Sequence, residues 1–244
     1  MKKYVTLFFF LVCSAYLVMA VTLWNKPDPN AVCKNVTLTI EDSAKAGFIH
    51  AEQISSMLKR GGLYPKGKYL AYVNTSLLER KLKEMALIEN VVCYKTIKGA
   101  VCIEVTQRLP VMRIISNNGD DYYLDAKGRI MPPTKNPADL VVATGDISKA
   151  FAKKYLTRIG SYLQATPFWN SQIEQINVTP EHTLELVPRV GDNLIYLGEP
   201  VNTMDKLNRL NIFYEKVISV VGWSKYSKIN LEYPNQIICT KKEK

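Results

Sequence analysis

Two adjacent aspartates, Asp120 and Asp121, are the residues of this chain whose types and spacing could support catalysis. Paired carboxylates can hold a divalent cation in a metal-dependent transferase. The pair comes directly before Tyr122–Leu124, a segment that predicts a hairpin strand, so we interpret the aspartates as a solvated turn. The sequence contains no GxSxG, no HExxH and no glycine-rich phosphate loop after a strand. We therefore predict that the chain is not an enzyme.

Cysteine and histidine do not follow a metal-site spacing in this sequence. There are five Cys and two His, with no CxxC, and His50 and His182 are isolated. We therefore expect no metal and no cofactor. Cys93 and Cys102 lie on two predicted strands, and a two-residue turn at 98–99 would make them diagonal neighbours on one face. Exported proteins can form disulfides, so we predict that this pair can come within disulfide reach, although diagonal separation is long for a bond.

The elements before residue 110 predict a small α+β unit. Their order is strand, helix, helix, strand, strand. The strands are Val36–Ile40, Val91–Thr96 and Ala100–Thr106. The first helix is Ala51–Arg60, and the second begins with the capping-box pattern Ser76–Glu79. Apolar residues recur at helical spacing in both helices, as Ala51, Ile54 and Leu58 and as Leu78, Leu82 and Met85. We expect both helices to pack on one face of the sheet.

The elements after residue 110 are richer in strands. Asp125–Gly128 is a good hairpin turn between two strands. Ser148 is expected to cap a helix, and Thr203–Val217 is a second helix with an apolar stripe. The remaining predicted strands are Leu140–Thr144, Ile173–Val178, Thr183–Val187, Asn193–Leu197, Lys228–Glu232 and Gln236–Thr240. This order predicts a β-rich domain with helices.

The N-terminal segment predicts a membrane span. Residues 5–24 contain no charged residue and form a segment of about 20 residues, the length that a helix needs to cross a bilayer. Lys2 and Lys3 precede the segment, which predicts a cytoplasmic end at 1–4 and an exported C-terminal part. The alternative is a cleaved signal peptide that ends at Ala20. A linker is expected over 25–34 and a frayed tail over 242–244.

The net positive charge of the chain indicates a membrane surface or a protein as its partner. The formal net charge is +10, but the lysines are scattered, without an arginine-rich stripe or an aromatic-interleaved basic motif. We therefore expect no nucleic acid and no small-molecule substrate. An exported basic domain is better suited to anionic lipid headgroups or to an acidic protein.

Several local motifs resemble the bacterial cell-division family FtsQ/DivIB over nearly the whole length. The matching segments are Val105–Val111 at a domain junction, Tyr123–Gly128 as a hairpin, Leu194–Gly198 followed by Thr203–Leu207 as a strand and helix, and Ile229–Ile237 in the last strand pair. Two positions depart from the family pattern. Gln107 replaces the usual glutamate at the junction, and Glu232 often corresponds to arginine.

The resemblance implies an α+β fold with a single N-terminal transmembrane helix, a small POTRA-type domain (β-α-α-β-β) at 35–109 and a mixed β-rich domain with helices at 110–241. It implies a non-catalytic divisome scaffold in the bacterial inner membrane with its bulk in the periplasm. The scaffold would bind FtsB- and FtsL-type bitopic division proteins at the septum and help control septal peptidoglycan synthesis. The alternatives are another POTRA-containing envelope protein for binding or export, and a membrane-anchored envelope enzyme.

The resemblance also places the partner contact on the last strand and the tyrosine before it. The residues concerned are Tyr233, Asn235, Gln236, Ile237, Ile238, Cys239 and Thr240. A final strand without a successor leaves an unpaired edge, to which a partner can add a strand. We expect Ile237 and Cys239 to pack inward while the backbone edge binds.

Overall fold

The computed structural model describes residues 2–23, 30–41, 47–134 and 139–243. Residues 24–29, within and just before the predicted linker, lie outside the described ranges, as does Lys244 in the predicted tail. The described chain divides into two compact units. The first contains residues up to 41, 50–83 and 91–105, and the second contains 47–49, 84–90 and 106–243.

The N-terminal helix α1 (Lys2–Leu23) does not bear out the predicted span over 5–24. Within the described ranges, no helix is both long and apolar enough to cross a membrane. The prediction of a transmembrane helix is therefore wrong, and the rest of the predicted α+β architecture is found.

The first unit has the predicted order of strand, helix, helix, strand, strand. Its elements are β1 (Asn35–Glu41), α2 (Ala51–Arg60), α3 (Thr75–Lys83), β2 (Ile88–Lys95) and β3 (Ala100–Gln107). The three strands form one sheet in the order β1-β3-β2. Of the predicted apolar faces, Ile54 and Leu58 on α2 and Leu78 and Leu82 on α3 are buried. Burial of these side chains stabilises the unit, because each removes apolar surface from water. Ala51 is exposed, and Met85 lies beyond the end of α3.

The start of α3 differs from the predicted capping box. The side chain of Asn74 accepts the Leu77 N–H at 2.9 Å, so Asn74 caps the helix in place of Ser76. Glu79 instead accepts the N–H of Cys93 at 2.8 Å. Asparagine is as effective a cap as serine, and Asn74 occupies the N-cap position because α3 begins at Thr75.

The hairpin of β2 and β3 differs by one residue from the predicted register. Thr96 donates its N–H to the carbonyl oxygen of Ala100, which leaves three residues in the turn and a Gly99 φ of +81°. A one-residue shift moves a side chain to the opposite face. Cys93 is therefore buried, whereas Cys102 is half-buried, and both are free thiols. The predicted disulfide proximity is wrong because the turn is longer than two residues.

The second unit contains a nine-stranded sheet in the order β12-β11-β10-β9-β8-β7-β4-β5-β6. The strands are β4 (Pro110–Ser116), β5 (Asp121–Asp125), β6 (Ile130–Met131), β7 (Val142–Gly145), β8 (Ile173–Val178), β9 (Leu184–Pro188), β10 (Leu194–Gly198), β11 (Tyr226–Asn230) and β12 (Ile238–Lys241). Three neighbouring pairs are parallel, β4 with β7, β7 with β8, and β10 with β11, and the others are antiparallel. All strands that the sequence predicted after residue 110 are present.

Helices pack on this sheet through its apolar side chains. They are α4 (Lys149–Phe151), a π-helical turn (Ala152–Leu156), α5 (Thr157–Ala165), α6 (Pro167–Gln172), α7 (Thr203–Phe213), a second π-helical turn (Tyr214–Ile218) and α8 (Ser219–Val221). Ser148 caps α4 as predicted, accepting the Phe151 N–H at 3.1 Å. Trp169 and Tyr214 lie in the buried core, with ring centroids 6.2 Å apart.

The hairpin of β5 and β6 turns at Asp125 as predicted. Its carboxylate is almost fully buried and accepts the N–H groups of Lys127 and Arg129, at 2.9 and 2.8 Å. Arg129 also donates from Nε to the same carboxylate at 2.6 Å. Glu89 pairs with both Lys127 and Arg129, so a network of charges closes over the turn. Turn chemistry explains the pattern of aspartate and glycine here.

Candidate functional site

The strand β12 lies at one edge of the nine-stranded sheet. It pairs antiparallel with β11, with Asn230 opposite Ile238 and Lys228 opposite Thr240. Within the described ranges no strand pairs with its other side. An edge strand of this kind presents unpaired N–H and C=O groups that can bind an added strand.

The direction of the β12 amides follows from two contacts with the β11 segment. The N–H of Lys242 donates to the carbonyl oxygen of Lys225, and the Ser227 hydroxyl donates to the carbonyl oxygen of Thr240. Successive N–H groups of a strand alternate in direction. Residues 238 and 240 therefore direct their amides toward β11, and the N–H groups of Cys239 and Lys241 point to the open side.

The side chains of this strand divide between the core and the solvent. Ile237 and Cys239 pack against the hydrophobic core of the second unit, as their alternation predicts. Burial also raises the pKa of the Cys239 thiol. Ile238 is 47% exposed and Thr240 is exposed. The core therefore holds this strand in place through alternate side chains, while the open edge of the strand remains accessible.

Arg209 of α7 fixes the loop that leads into β12. Its Nη1 donates to the carbonyl oxygens of Tyr233 and Gln236, each at 2.8 Å, and its Nη2 donates to that of Leu231 at 2.8 Å. Three charge-assisted hydrogen bonds from one planar guanidinium define the path of residues 231–236. Asn235 completes the turn with a φ of +60°, a region that asparagine tolerates better than most residues. The loop leaves the Tyr233 side chain 47% exposed.

A groove of about 290 Å³ lies between this loop and the helix before it. The lining residues come from α7, the π-helical turn and the loop, and are Arg209, Ile212, Phe213, Lys216, Val217, Asn235, Gln236 and Ile237. Its surface is largely apolar, with basic groups at Arg209 and Lys216. Such a groove suits apolar side chains of a segment that also carries acidic groups.

Lys206 ties the same helix to the end of β10. Its Nζ is buried and donates to the carbonyl oxygens of Leu197 and Glu199, at 2.7 and 2.9 Å. Burial lowers the pKa of the Lys206 ammonium, because desolvation disfavours its charged form. Sequence reasoning missed both Lys206 and Arg209. Their three-residue spacing on α7, beside the apolar stripe, was the available signal.

The residues considered for chemistry do not form a catalytic arrangement. Asp121 forms a salt bridge with Arg113 at 2.8 Å, and this contact lowers the pKa of its carboxyl. Asp120 lies 3.3 Å from the ammonium of Lys149. In the part of the chain that the structure describes, no group of three His, Cys, Asp or Glu side chains could bind a metal ion. Asp120 directly precedes β5 and Asp121 is its first residue, and both carboxylates are paired with basic residues.

Comparison with family models identifies the second unit. A model described as FtsQ/DivIB, C-terminal related, matches residues 109–240, more than half of the chain. This chain belongs to the FtsQ/DivIB family. A POTRA-like domain model matches residues 31–106. No match was found among curated proteins.

The two family models fit a division scaffold, and these families are generally non-catalytic. FtsQ/DivIB membership implies action at the division site, with division proteins as partners. The matched FtsQ/DivIB region contains α7, its clamped loop and nearly all of β12. The candidate edge is therefore part of the FtsQ/DivIB-related domain.

Proposed function

We propose that the chain is a non-catalytic divisome scaffold that binds FtsB- and FtsL-type division proteins by strand addition to β12. The open edge of β12, with outward N–H groups at Cys239 and Lys241, carries the proposal. A partner segment would add a tenth strand through main-chain hydrogen bonds, and its side chains would reach Tyr233, Ile238 and Thr240. The binding residues proposed from the sequence, Tyr233 and 235–240, surround this edge.

The groove beside the loop supplies a second contact for the same partner. Ile212 and Val217 offer apolar surface, and Lys216 adds a positive charge at the groove. A partner that enters the edge with an apolar and acidic segment would fill the groove as it adds its strand. The exposed ring of Tyr233 would be an anchor, since tyrosine is enriched among the residues that dominate binding energy.

We propose domain limits of 35–109 and 110–241 for the two domains. We place the partner contact outside the cytoplasm, where septal peptidoglycan is made. Binding there would couple the scaffold to septal synthesis without any chemistry of its own. Binding by strand addition to the β12 edge needs no cofactor and no small-molecule substrate.

The test compares proline and alanine at Lys241, whose side chain is exposed and whose N–H points to the open side. Lys241→Pro deletes an outward donor but leaves the inward ladder bonds of 238 and 240. We expect it to weaken binding of a purified FtsB-type extracytoplasmic segment about tenfold, because the partner carbonyl loses its donor. Lys241→Ala, the matched control, should weaken binding about threefold or less, as for an exposed charge.

Tyr233→Ala tests the anchor in the same assay, and we expect about a tenfold loss. Circular dichroism and urea unfolding must show that each variant is folded, because β12 also supports the sheet. Titration calorimetry on the full chain measures the affinities. If folded Lys241→Pro and Tyr233→Ala bind the partner as tightly as the parent, strand addition at this edge is excluded.

A further inference from the structure

We infer that the first unit has a second binding surface, a basic and apolar patch that binds a bilayer surface carrying anionic headgroups. The patch is formed by the tip of the β2–β3 hairpin, by the segment before β1 and by the segment that follows α2. Its exposed members are Val32, Lys34, Lys66, Lys68, Tyr69, Tyr72, Ile97 and Lys98. This surface belongs to the first unit and is independent of the β12 edge proposed above.

Backbone hydrogen bonds join the three segments into one surface. Lys34 donates its N–H to the carbonyl oxygen of Gly99 at 2.8 Å, so the segment before β1 lies against the hairpin tip. Cys33 donates to the carbonyl oxygen of Lys68 at 2.8 Å, and Val32 forms a bridge with Tyr69. Because these are main-chain contacts in a folded unit, the exposed side chains are held close together.

The apolar members of the patch are unusually exposed for a folded domain. Ile97 at the hairpin tip is 95% exposed and Tyr72 is 83% exposed. Tyr69 is 51% exposed and contacts Tyr72 edge to face, with ring centroids 6.1 Å apart. Scattered apolar side chains at a surface are ordinary, but an adjacent group rimmed by charge marks an interaction site. Tyrosines with an apolar ring and a polar end suit the headgroup level of a bilayer.

The charge around these side chains selects an anionic surface. In residues 30–41, 50–83 and 91–105, Lys and Arg outnumber Asp and Glu by ten to four. Lys34, Lys66 and Lys98 have no carboxylate partner within the described ranges. Long lysine side chains can place their ammonium groups among lipid phosphates while the neighbouring apolar groups enter the interface. An extended, shallow patch with an isoleucine at its tip fits a lipid surface better than an acidic peptide, which needs a groove or an edge.

The experiment is hydroxyl-radical footprinting of the full chain on vesicles. Vesicles of phosphatidylglycerol mixed with phosphatidylcholine are compared with pure phosphatidylcholine, at lipid concentrations that bind equal fractions of the protein. We expect oxidation of Tyr72 and Ile97 to fall about threefold or more on the anionic vesicles only, and to recover at high salt. Val220, which is 81% exposed in the second unit, is the internal control and should show no change between the two vesicles.

Two sets of variants separate the patch from general basic charge. Lys34→Gln with Lys98→Gln should abolish the anionic-specific protection, because each lysine near such a surface contributes about fivefold to partitioning. The matched pair Lys154→Gln with Lys225→Gln removes two exposed lysines of the second unit and should leave it intact. Ile97→Ser should reduce the protection of Tyr72 without altering the fold.

The inference is overturned by equal oxidation of Tyr72 and Ile97 on anionic and neutral vesicles. It is also overturned if both lysine pairs have the same effect. Protection that appears only when other membrane proteins are present in the vesicles would assign the patch to an acidic protein instead. None of these outcomes depends on the β12 edge, so the proposed partner site and the lipid patch fail or succeed separately.

Discussion

Nη1 of Arg209 lies 2.8 Å from the carbonyl oxygen of Tyr233, although the two residues are 24 positions apart in the chain. The same guanidinium also binds the carbonyl oxygens of Leu231 and Gln236. A single side chain of α7 thereby sets the geometry of the loop that leads into β12. The exposed position of Tyr233 depends on a residue outside the final strand pair.

Replacement of Arg209 by methionine should loosen this loop. Arg209→Met keeps a long apolar stem but removes three donors, and we expect a loss of about 1–3 kcal/mol in the free energy of unfolding. Amide exchange in residues 231–237 should accelerate more than elsewhere in the second unit. Arg158→Met is the matched control, because Arg158 is exposed and the described residues include no partner for it. Equal exchange in the two variants would refute the role of Arg209.

The charge network at the β5–β6 hairpin predicts a pH dependence. Hydrogen bonds from Lys127 and Arg129 lower the pKa of the Glu89 carboxyl. A carboxyl with a lower pKa in the folded state stabilises the fold above its ordinary pKa and loses that contribution as pH falls through the lowered value. Glu89→Gln should therefore cost about 1 kcal/mol near neutral pH, with the difference from the parent shrinking below about pH 4.

Urea unfolding of the parent and the Glu89→Gln variant across this pH range measures the difference. Lys127→Gln should show a smaller but similar trend, since it removes one of the three cations that contact Glu89, the others being Arg108 and Arg129. A difference that stays constant from neutral to acidic pH would show that the ionised carboxyl contributes no stability.

Gly145 at the end of β7 should not tolerate a side chain. Its φ is +107°, and a Cβ there would lie 2.0 Å from the carbonyl oxygen of Val178, which is backbone of the neighbouring strand. We expect Gly145→Ala to destabilise the second unit by about 3 kcal/mol or more. Gly119→Ala is the control, because its φ is also positive but no atom lies within 4 Å of the added Cβ. It should cost about 1 kcal/mol, and equal losses would contradict the clash.

Thiol labelling tests the register of the β2–β3 hairpin. Burial raises the pKa of Cys93 to about 12, so its reactive thiolate is scarce at ordinary pH. Cys102 is half-buried on the other face. In the folded chain we expect iodoacetamide to label Cys102 well before Cys93, with both labelled after denaturation. A disulfide between them after mild oxidation, found by non-reducing peptide mapping, would show that the predicted two-residue turn was right.

Much of the fold follows from local patterns in the sequence. The stripe of Ile54 and Leu58, the cap at Ser148 and the turn at Asp125 each depend on neighbouring residues, and each was predicted correctly. The register of the β2–β3 hairpin depended on turn length, which Lys98-Gly99 alone does not determine. Glycine can take the positive φ of either a two-residue or a three-residue turn.

The candidate site was harder to predict because its parts are distant in sequence. The order of strands in the sheet places β12 at an edge, and the family resemblance had identified the segment. Arg209 binds carbonyl oxygens of residues 231–236, and Lys206 binds those of Leu197 and Glu199. Both sets of hydrogen bonds require α7 to lie beside two separate segments of the chain. No local pattern encodes that proximity. The prediction of a membrane span over 5–24 rested on the length of the uncharged segment and on the lysines before it, and the structure does not bear it out.

The hydrogen bonds from Arg209 to the loop at 231–236 also affect how the sequence of this loop can diverge in evolution. The guanidinium recognises carbonyl oxygens, which every residue type supplies, so it does not constrain the side chains of residues 231–236. Apart from Leu231, which is fully buried in the core, and Asn235, whose positive φ favours asparagine or glycine, the loop can accept substitutions without a change of path. Selection on the shape of this surface would therefore act mainly on one arginine in a different element. Related chains could have different side chains in this loop while keeping the same position of the β12 edge.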